Sequence, residues 1–177
     1  MRHTLASLLK AKAMELKTLT LEKVNSHNKS SFLVKMCIDP LQLEGIIFVG
    51  KQSSSFLLNF TLLVKLPHEQ LKDEAFKIKL KRKLGKNVKT GYFNNPTIGI
   101  VYCAGPLTQL FLEEINGSVL GAMQTGVEGI LRGLDVDKEC ATVSTEKLAK
   151  GHYMLIVSGD PNDISKLKLQ LGNNCQD

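Results

Sequence analysis

The first 24 residues combine apolar and basic positions with a helical period. Leucines and alanines recur every three or four residues from Thr4 to Val24, and lysines lie between them. This spacing places the apolar side chains on one face of a helix. We therefore predict an amphipathic helix over residues 1–24, which either packs on the rest of the chain or lies on a membrane surface or a partner protein.

Apolar, partly β-branched runs dominate the next section and predict strands. These runs span Phe32–Cys37, Gly45–Val49 and Phe56–Leu66, with proline and glycine between them. After His68 the apolar spacing becomes helical and predicts a helix that ends near Gly85, because glycine readily adopts the conformation of a helix C-terminus. The alternation of lysine with isoleucine and leucine within that stretch is also compatible with an edge strand.

The last third of the chain predicts a helix, a strand and a helix in succession. Val136–Ala149 has helical spacing, Tyr153–Val157 is an apolar run, and Asn162–Leu171 follows a Gly-Asp-Pro turn. Asp160 is suited to accept a hydrogen bond from a free N–H group of the final helix. Upstream, Ile98–Cys103 is a short apolar segment after an Asn-Asn-Pro turn, and it fits either a strand or a buried turn.

Small residues recur every four positions in the segment 106–134, which we predict to be a helical hairpin. Glycines along one helix face allow a second backbone to approach closely, and each costs about 1 kcal/mol relative to alanine without such a contact. The stripe is compatible with packing inside the domain, with a homo-oligomer seam or with insertion into a bilayer, although Glu128 argues against deep burial in lipid. Its members are Gly117, Gly121, Gly129 and Gly133.

Together these elements predict an α+β fold in one domain over residues 31–172. Its first half is rich in strands, the glycine-striped hairpin follows at 106–134, and the helix-strand-helix unit closes the domain at 136–171. A ferredoxin-like sheet is one arrangement compatible with this order. The chain has 177 residues, enough for one hydrophobic core but not for two full domains.

The net charge of +6 is concentrated in the N-terminal segment and in the stretch from Lys77 to Lys89. Such a stretch can neutralise anionic lipid headgroups or nucleic-acid phosphates, and it can equally be a solvated helix face. Nucleic acid is the less favoured partner because no aromatic residues are interleaved with these lysines. The candidate contact residues are Lys77, Lys79, Lys81, Arg82, Lys83, Lys86 and Lys89.

The sequence lacks the residue patterns of known catalytic or metal centres. Its four cysteines and four histidines are scattered, without the spacing of a zinc site, a disulfide framework or a nucleophile with its base. No glycine motif for nucleotide phosphates occurs. We therefore expect a protein that is not an enzyme, with no catalytic residue, no metal site and no cofactor.

Neither a secretory signal nor a clean membrane-spanning helix is recognisable in the sequence. The N-terminal segment carries lysines throughout, and the long uncharged segment Thr90–Leu112 is interrupted by asparagines and prolines. We expect a cytoplasmic protein, with peripheral attachment to a membrane as an alternative.

Several motifs in the second half of the chain resemble those of a known protein family. They are the segment Pro96–Ile100, the turn Ala104–Pro106, the glycines up to Gly133, and the segment Gly151–Gly159 with its following helix. In this order they resemble the bacterial general-stress, heat-induced stress-protein-like family of glycine-rich domains of unknown function, over residues 96–171. The resemblance implies a stress-linked, non-catalytic role and carries over no active site.

These observations favour a scaffold or interaction protein that contacts an anionic membrane surface, a protein partner or a second copy of itself. A nucleic-acid-binding module that uses the same lysines is the first alternative. A small-ligand binder, with a pocket between the strand-rich half and the hairpin, is the second.

Overall fold

The structure, a computed structural model, describes residues 30–53, 58–85 and 88–172. The chain divides into two units, Met1–Ser30 and Ser31–Asp177, and all but one of the described residues belong to the second. The helix predicted over residues 1–24 lies outside the described residues. In chain order the elements are β1 (Ser31–Cys37), α1 (Pro40–Ser53), β2 (Asn59–Lys65), α2 (Glu74–Leu84), β3 (Thr90–Asn95), β4 (Gly99–Ala104), α3 (Thr108–Phe111), β5 (Glu114–Ile115), β6 (Ser118–Val119), α4 (Gly126–Gly133), α5 (Lys138–Ala149), β7 (Tyr153–Gly159) and α6 (Pro161–Leu171), with 3-10 turns at His68–Lys72 and Leu120–Ala122.

A five-stranded sheet with the order β1-β7-β2-β4-β3 organises the second unit. Every neighbouring pair is antiparallel, and the register places Leu63 opposite both Cys103 and Met154. Helices cover both faces of the sheet: α1, α2 and α6 lie on one, and α3, α4 and α5 lie on the other. The α+β fold predicted from the sequence is confirmed.

The connections of the sheet resemble a ferredoxin-like arrangement only in part. The links from β1 to β2, from β2 to β3 and from β4 to β7 each skip over one strand, namely β7, β4 and β2, so these three crossovers are of the split type. Their helices lie on opposite faces, since α1 shares a buried cluster with Leu33 and Leu155, whereas α5 shares one with Val34 and Ile156. An α+β sheet of the ferredoxin-like kind keeps its helices on one face, so that arrangement is not formed.

Strand residues alternate between the two hydrophobic clusters, as the period-two geometry of a strand requires. In β7, Leu155 and Val157 face the α1 side of the sheet, and Met154 and Ile156 face the α5 side. All four are fully buried, which explains why β7 is a continuous apolar run in the sequence. The strand predicted at Tyr153–Val157 is confirmed.

Aspartate side chains fix the starts of α2, α5 and α6. Asp73 and Asp137 each accept a hydrogen bond from a backbone N–H three residues later, at the starts of α2 and α5. Asp160 accepts one from the Asn162 N–H at α6, where Pro161 occupies the first turn. A cap of this kind contributes about 1 kcal/mol. The predicted final helix with its aspartate cap is confirmed, and the segment before Gly85 forms a helix rather than an edge strand.

The strand predicted at Gly45–Val49 is wrong, because these residues lie inside helix α1. Asp39 accepts hydrogen bonds from two backbone N–H groups at the start of this helix, and Pro40 occupies its first position. Leu43 and Ile47, four residues apart, face the core. A five-residue apolar run does not distinguish a strand from a helix by its period alone.

The helical hairpin predicted at 106–134 is also wrong. The segment forms the four-residue helix α3, the two-stranded β5-β6 hairpin, a 3-10 turn and the eight-residue helix α4. Asn116 and Gly117 make the turn of the β5-β6 hairpin, with φ angles of 52° and 76°. An Asn-Gly pair with two positive φ angles is a favoured two-residue hairpin turn, and it interrupts a helix at this point.

The sequence did not predict strand β3, which forms one edge of the sheet. It pairs with β4 along its full length, from Thr90 opposite Ala104 to Asn95 opposite Gly99. Polar residues interrupt β3, so it contains no apolar run that would mark it as a strand. The runs that do mark strands correspond to β1, β2 and β4.

Candidate functional site

The basic stretch predicted as a contact surface lies on α2 and the segment after it, and the helix directs its side chains in three directions. Lys79 and Arg82 are exposed on the outer side of α2. Lys77 and Lys81, four residues apart, line a cavity next to the β3-β4 hairpin. Lys83 pairs with a residue of α1. The stretch is therefore not one continuous patch, because a helix turns once every 3.6 residues.

The two candidate residues beyond α2 contribute less to this surface. Lys86 lies outside the described residues. Lys89 is exposed just before β3, and its carbonyl oxygen accepts hydrogen bonds from the Gly105 N–H (2.9 Å) and the Thr108 hydroxyl (3.2 Å). The backbone of Lys89 thus connects the end of the basic stretch to the start of α3.

An ion pair joins α2 to α1. Lys83 pairs with Glu44, and the hydrogen bond from Lys83 holds the pKa of the Glu44 carboxyl below its usual value. The Lys51 ammonium nitrogen lies 3.4 Å from the Lys83 carbonyl oxygen, at the limit of a hydrogen bond. Because Lys83 is engaged within the fold, we do not assign its side chain to ligand contact.

Large apolar side chains are exposed on the same side of the molecule as the exposed basic residues of α2. Leu41 is 76% and Phe48 is 60% exposed on α1, Ile78 is 48% exposed on α2, and Leu169 is 87% exposed on α6. Helix α1 contacts both α2 and α6. One exposed apolar residue is ordinary, but four on neighbouring helices give a mixed apolar and basic surface. We call the outward side of α1, α2 and α6 the three-helix face.

Charge is distributed unevenly between the two sides of the sheet. Helices α1, α2 and α6 carry eight lysine or arginine residues and three aspartate or glutamate residues. Helices α4 and α5, on the other side, carry three of each. The positive potential that attracts anions is therefore concentrated on the three-helix face.

A groove of about 660 Å³ runs between α1 and α2 on this face. Ile78, Lys79 and Arg82 line it from α2, and Glu44 lines it from α1. Since Glu44 pairs with Lys83, the charges that remain for a ligand in the groove are those of Lys79 and Arg82. The groove thus combines an apolar wall with two cations.

A smaller cavity of about 300 Å³ lies on the other flank of α2, against the β3-β4 hairpin. Lys77 and Lys81 line it from the helix, and Tyr92 and Tyr102, which are directly opposite in the antiparallel register, line it from the strands. Lys77 pairs with Glu74 at 2.7 Å, and that hydrogen bond raises the pKa of Lys77. Burial raises the pKa of Tyr102, so its phenol is neutral at physiological pH.

A third cavity, of about 420 Å³, lies between α1, β1 and α6 and is lined mainly by aliphatic residues such as Ile46 and Val49. Lys35 lines it too, is 6% exposed, and donates a hydrogen bond from its ammonium group to the Leu171 carbonyl oxygen at the end of α6 (2.8 Å). Burial lowers the pKa of Lys35. A cation stabilises the C-terminus of a helix, so Lys35 has a structural role. The small-ligand alternative predicted a pocket between the strand-rich half and the 106–134 segment. This cavity does not lie there, because α1, β1 and α6 form it.

The four glycines assigned to a packing stripe do not share a helix face. Gly117 lies in the β5-β6 turn, and Gly121 lies in a 3-10 turn, where a Cβ atom would come within 2.9 Å of the Phe111 carbonyl oxygen. Gly129 and Gly133 lie in α4, and a Cβ atom on either would meet nothing within 4 Å. The predicted stripe is wrong, because only two of its members are helical and, within the described residues, no other backbone approaches either of them.

Two free thiols are buried in the core, and we expect both to be unreactive in the native protein. Burial raises the pKa of the Cys37 thiol to about 11 and that of the Cys103 thiol to about 12. At pH 8 well under about 1% of either group is the reactive thiolate. Iodoacetamide should therefore label neither cysteine before denaturation and both after it, as measured by mass spectrometry of the peptides. Rapid labelling of native Cys103 would contradict its buried position.

Cys140 is disulfide-bonded, which the cysteine spacing did not predict. Among the residues that the structure describes, no group of three or more His, Cys, Asp or Glu side chains is placed to hold a metal ion. No helix within the described ranges is long and apolar enough to cross a bilayer.

No family model matches the chain, and comparisons with curated proteins and with solved structures gave no significant match. The resemblance to glycine-rich stress proteins therefore stays a prediction. The geometry of the three-helix face and of its cavities is the basis for a functional proposal.

Proposed function

We propose that the protein binds the surface of an anionic membrane through the three-helix face and acts there as a non-enzymatic scaffold or interaction protein, in the stress-linked setting that the resemblance implies. The supporting observation is that exposed Leu41, Phe48 and Ile78 lie on the same side of the sheet as exposed Lys79 and Arg82. This combination suits the headgroup region of a bilayer, where apolar side chains enter the acyl boundary and cations remain at the phosphates.

Two contributions to the binding free energy are expected. Each lysine or arginine near an anionic leaflet contributes about 1 kcal/mol, so Lys79 and Arg82 together contribute about 2 kcal/mol. Complete burial of a phenylalanine or isoleucine contributes about 1.5 to 3 kcal/mol, and the lower end applies to Phe48 and Ile78 because both are already partly buried. Electrostatic and apolar contributions are both needed, since one weak anchor alone binds membranes only marginally.

The chemistry of the exposed apolar residues favours lipid over nucleic acid as the ligand. Phe48 is the single aromatic residue among the four exposed apolar residues of the face; Leu41, Ile78 and Leu169 are aliphatic and provide no ring on which a base could stack. A nucleic acid would contact the cations but would leave these side chains in water. A bilayer surface uses both features of the face.

Vesicle flotation tests this proposal. We expect the full-length protein to float with vesicles that contain roughly one third phosphatidylglycerol, and not with neutral phosphatidylcholine vesicles. The double variant Lys79→Gln, Arg82→Gln should lower the partition coefficient about 30-fold, which corresponds to the loss of about 2 kcal/mol. Phe48→Ser should weaken binding at every salt concentration, because salt does not screen the apolar contribution.

The matched control is the double variant Arg132→Gln, Lys138→Gln, which removes the same charge from exposed positions on the opposite side of the sheet. This control variant should keep the partition coefficient within about twofold of the value for the unsubstituted protein, because salt screens charges that lie far from the membrane. Equal losses in both double variants would mean that binding follows net charge alone and would contradict the assignment to the three-helix face. If the protein does not float with vesicles and instead binds RNA tightly and in a salt-sensitive way, the nucleic-acid alternative is favoured.

A further inference from the structure

The cavity of about 300 Å³ beside α2 brings several hydrogen-bond donors to one small volume. Lys77 and Lys81 are about one helical turn apart and therefore share a side of α2. Thr90 and Tyr92 line the cavity from β3. Tyr102 lines it from β4, where it is buried and hydrogen-bonded to Thr90. Two ammonium groups and three hydroxyl groups thus border the same space.

The charges around this cavity favour an anion. Glu74 belongs to its lining and pairs with Lys77 at 2.7 Å, so these two charges compensate each other. In the part of the chain that the structure describes, Lys81 has no ion-pair partner, and its charge is uncompensated. Tyr102 adds no negative charge because its phenol remains protonated. The lining therefore presents one net positive charge together with neutral hydroxyl donors.

We propose that this cavity binds a phosphomonoester group. Such a group has three terminal oxygens and a charge of about −1.5 to −2 at neutral pH, so it can accept hydrogen bonds from the Tyr92 phenol and from more than one N–H of the Lys81 ammonium at the same time. A phosphodiester has only two free oxygens and a single negative charge, and it matches fewer of these donors. The group can belong to phosphatidic acid or to free phosphate.

The lipid form of this site rests on the proposed membrane function and specifies its ligand. Ile78 lines both this cavity and the groove between α1 and α2. A phosphatidic acid molecule whose acyl chains lie beside Ile78 would place its headgroup next to Lys81. Lys79 and Arg82, on the other flank of the helix, would contact neighbouring lipids without selecting among headgroups.

Binding to phosphatidic acid vesicles and to phosphatidylglycerol vesicles of equal zeta potential tests the inference. The full-length protein should prefer phosphatidic acid about tenfold, the effect expected of one additional charge-assisted hydrogen bond. Lys81→Gln and Tyr92→Phe should each remove most of that preference, and Tyr92→Phe keeps the ring of an exposed residue, so the fold is retained. Lys79→Gln is the matched control on the same helix, and it should weaken binding to both lipids equally.

Titration with inorganic phosphate, followed by NMR, separates the two sources of the group. Chemical-shift changes at Lys81 and Tyr92 that disappear in Lys81→Gln would support the site even if no vesicle binds, and in that case the membrane function alone would fail. Equal affinity for the two lipids, with no phosphate-induced change at Tyr92, would overturn the phosphomonoester site and leave the membrane function intact.

Discussion

Asn95→Ala is expected to destabilise the protein by about 3 to 5 kcal/mol. The Asn95 side chain is buried at the end of β3 and makes four hydrogen bonds. Its amide nitrogen donates to the carbonyl oxygens of Gly121 (2.9 Å) and Met123 (2.7 Å), and its oxygen accepts from the N–H groups of Thr97 (3.0 Å) and Ile98 (3.2 Å). Each buried polar group left without a partner costs about 1 to 3 kcal/mol.

Urea denaturation followed by circular dichroism measures this loss as a lower midpoint with an unchanged slope. Asn94→Ala is the matched control, because Asn94 precedes Asn95 in the same strand but is exposed; it should change stability by less than about 0.5 kcal/mol. Asn95→Asp keeps the two accepted hydrogen bonds and places a carboxylate against two carbonyl oxygens, so it should also be strongly destabilising at neutral pH. Equal stability of the Asn94 and Asn95 variants would contradict the buried clamp between β3 and the 3-10 turn.

The elements that the sequence predicted correctly are those whose local signals and tertiary environment agree. Helix α6 follows an aspartate cap and a proline, and strand β7 is a fully buried apolar run. In such segments the intrinsic helix or strand propensity, the capping residues and the burial pattern all favour the same structure. The secondary structure can therefore be predicted from one sequence without an alignment. Helix α2 is capped by Asp73 and ends before Gly85, although the alternation of lysine with apolar residues in it was also compatible with an edge strand.

In helix α1 the local sequence pattern and the observed structure disagree. Its run from Gly45 to Val49 is apolar on the inner side, with Ile47 buried, and also on the outer side, with Phe48 exposed. An apolar residue on the outward side removes the contrast that identifies a helix by period. Phe48 and Leu41, which point outward from α1, belong to the three-helix face. Because the strand prediction was wrong, these two of the four exposed apolar residues of the candidate site were not recognised.

The cavity of about 300 Å³ beside α2 could not be predicted from the basic stretch alone. Lys77 and Lys81 are visible in the sequence, but Tyr92 and Tyr102 join them only because β3 and β4 form a hairpin in a particular register. Register depends on the turn and on which strand face is buried, and β3 gave no periodic signal. One clue was present: the dipeptide Asn95-Pro96, at the end of β3, is typical of a turn.

The prediction for segment 106–134 is wrong for a different reason: a four-residue period does not indicate a helix when the recurring residues are glycines. Glycine is a poor helix former and is favoured in turns, so its period has little meaning without apolar residues between. The Asn116-Gly117 pair was the stronger local signal. Each glycine then has its own local role, and substitutions can distinguish these roles.

Gly126→Ala is expected to destabilise the protein by about 3 kcal/mol, whereas Gly129→Ala should stabilise it by about 0.5 to 1 kcal/mol. At Gly126, the first residue of α4, a Cβ atom would overlap the Leu120 carbonyl oxygen, which belongs to the backbone and cannot move aside without displacing the 3-10 turn. At Gly129 a Cβ atom meets open space, so alanine only reduces the entropy lost when the helix forms. Thermal unfolding should show a rise of about 2 °C for Gly129→Ala and a fall several times larger for Gly126→Ala. A large loss of stability in Gly129→Ala would instead mean that another backbone packs against α4, as the glycine stripe requires.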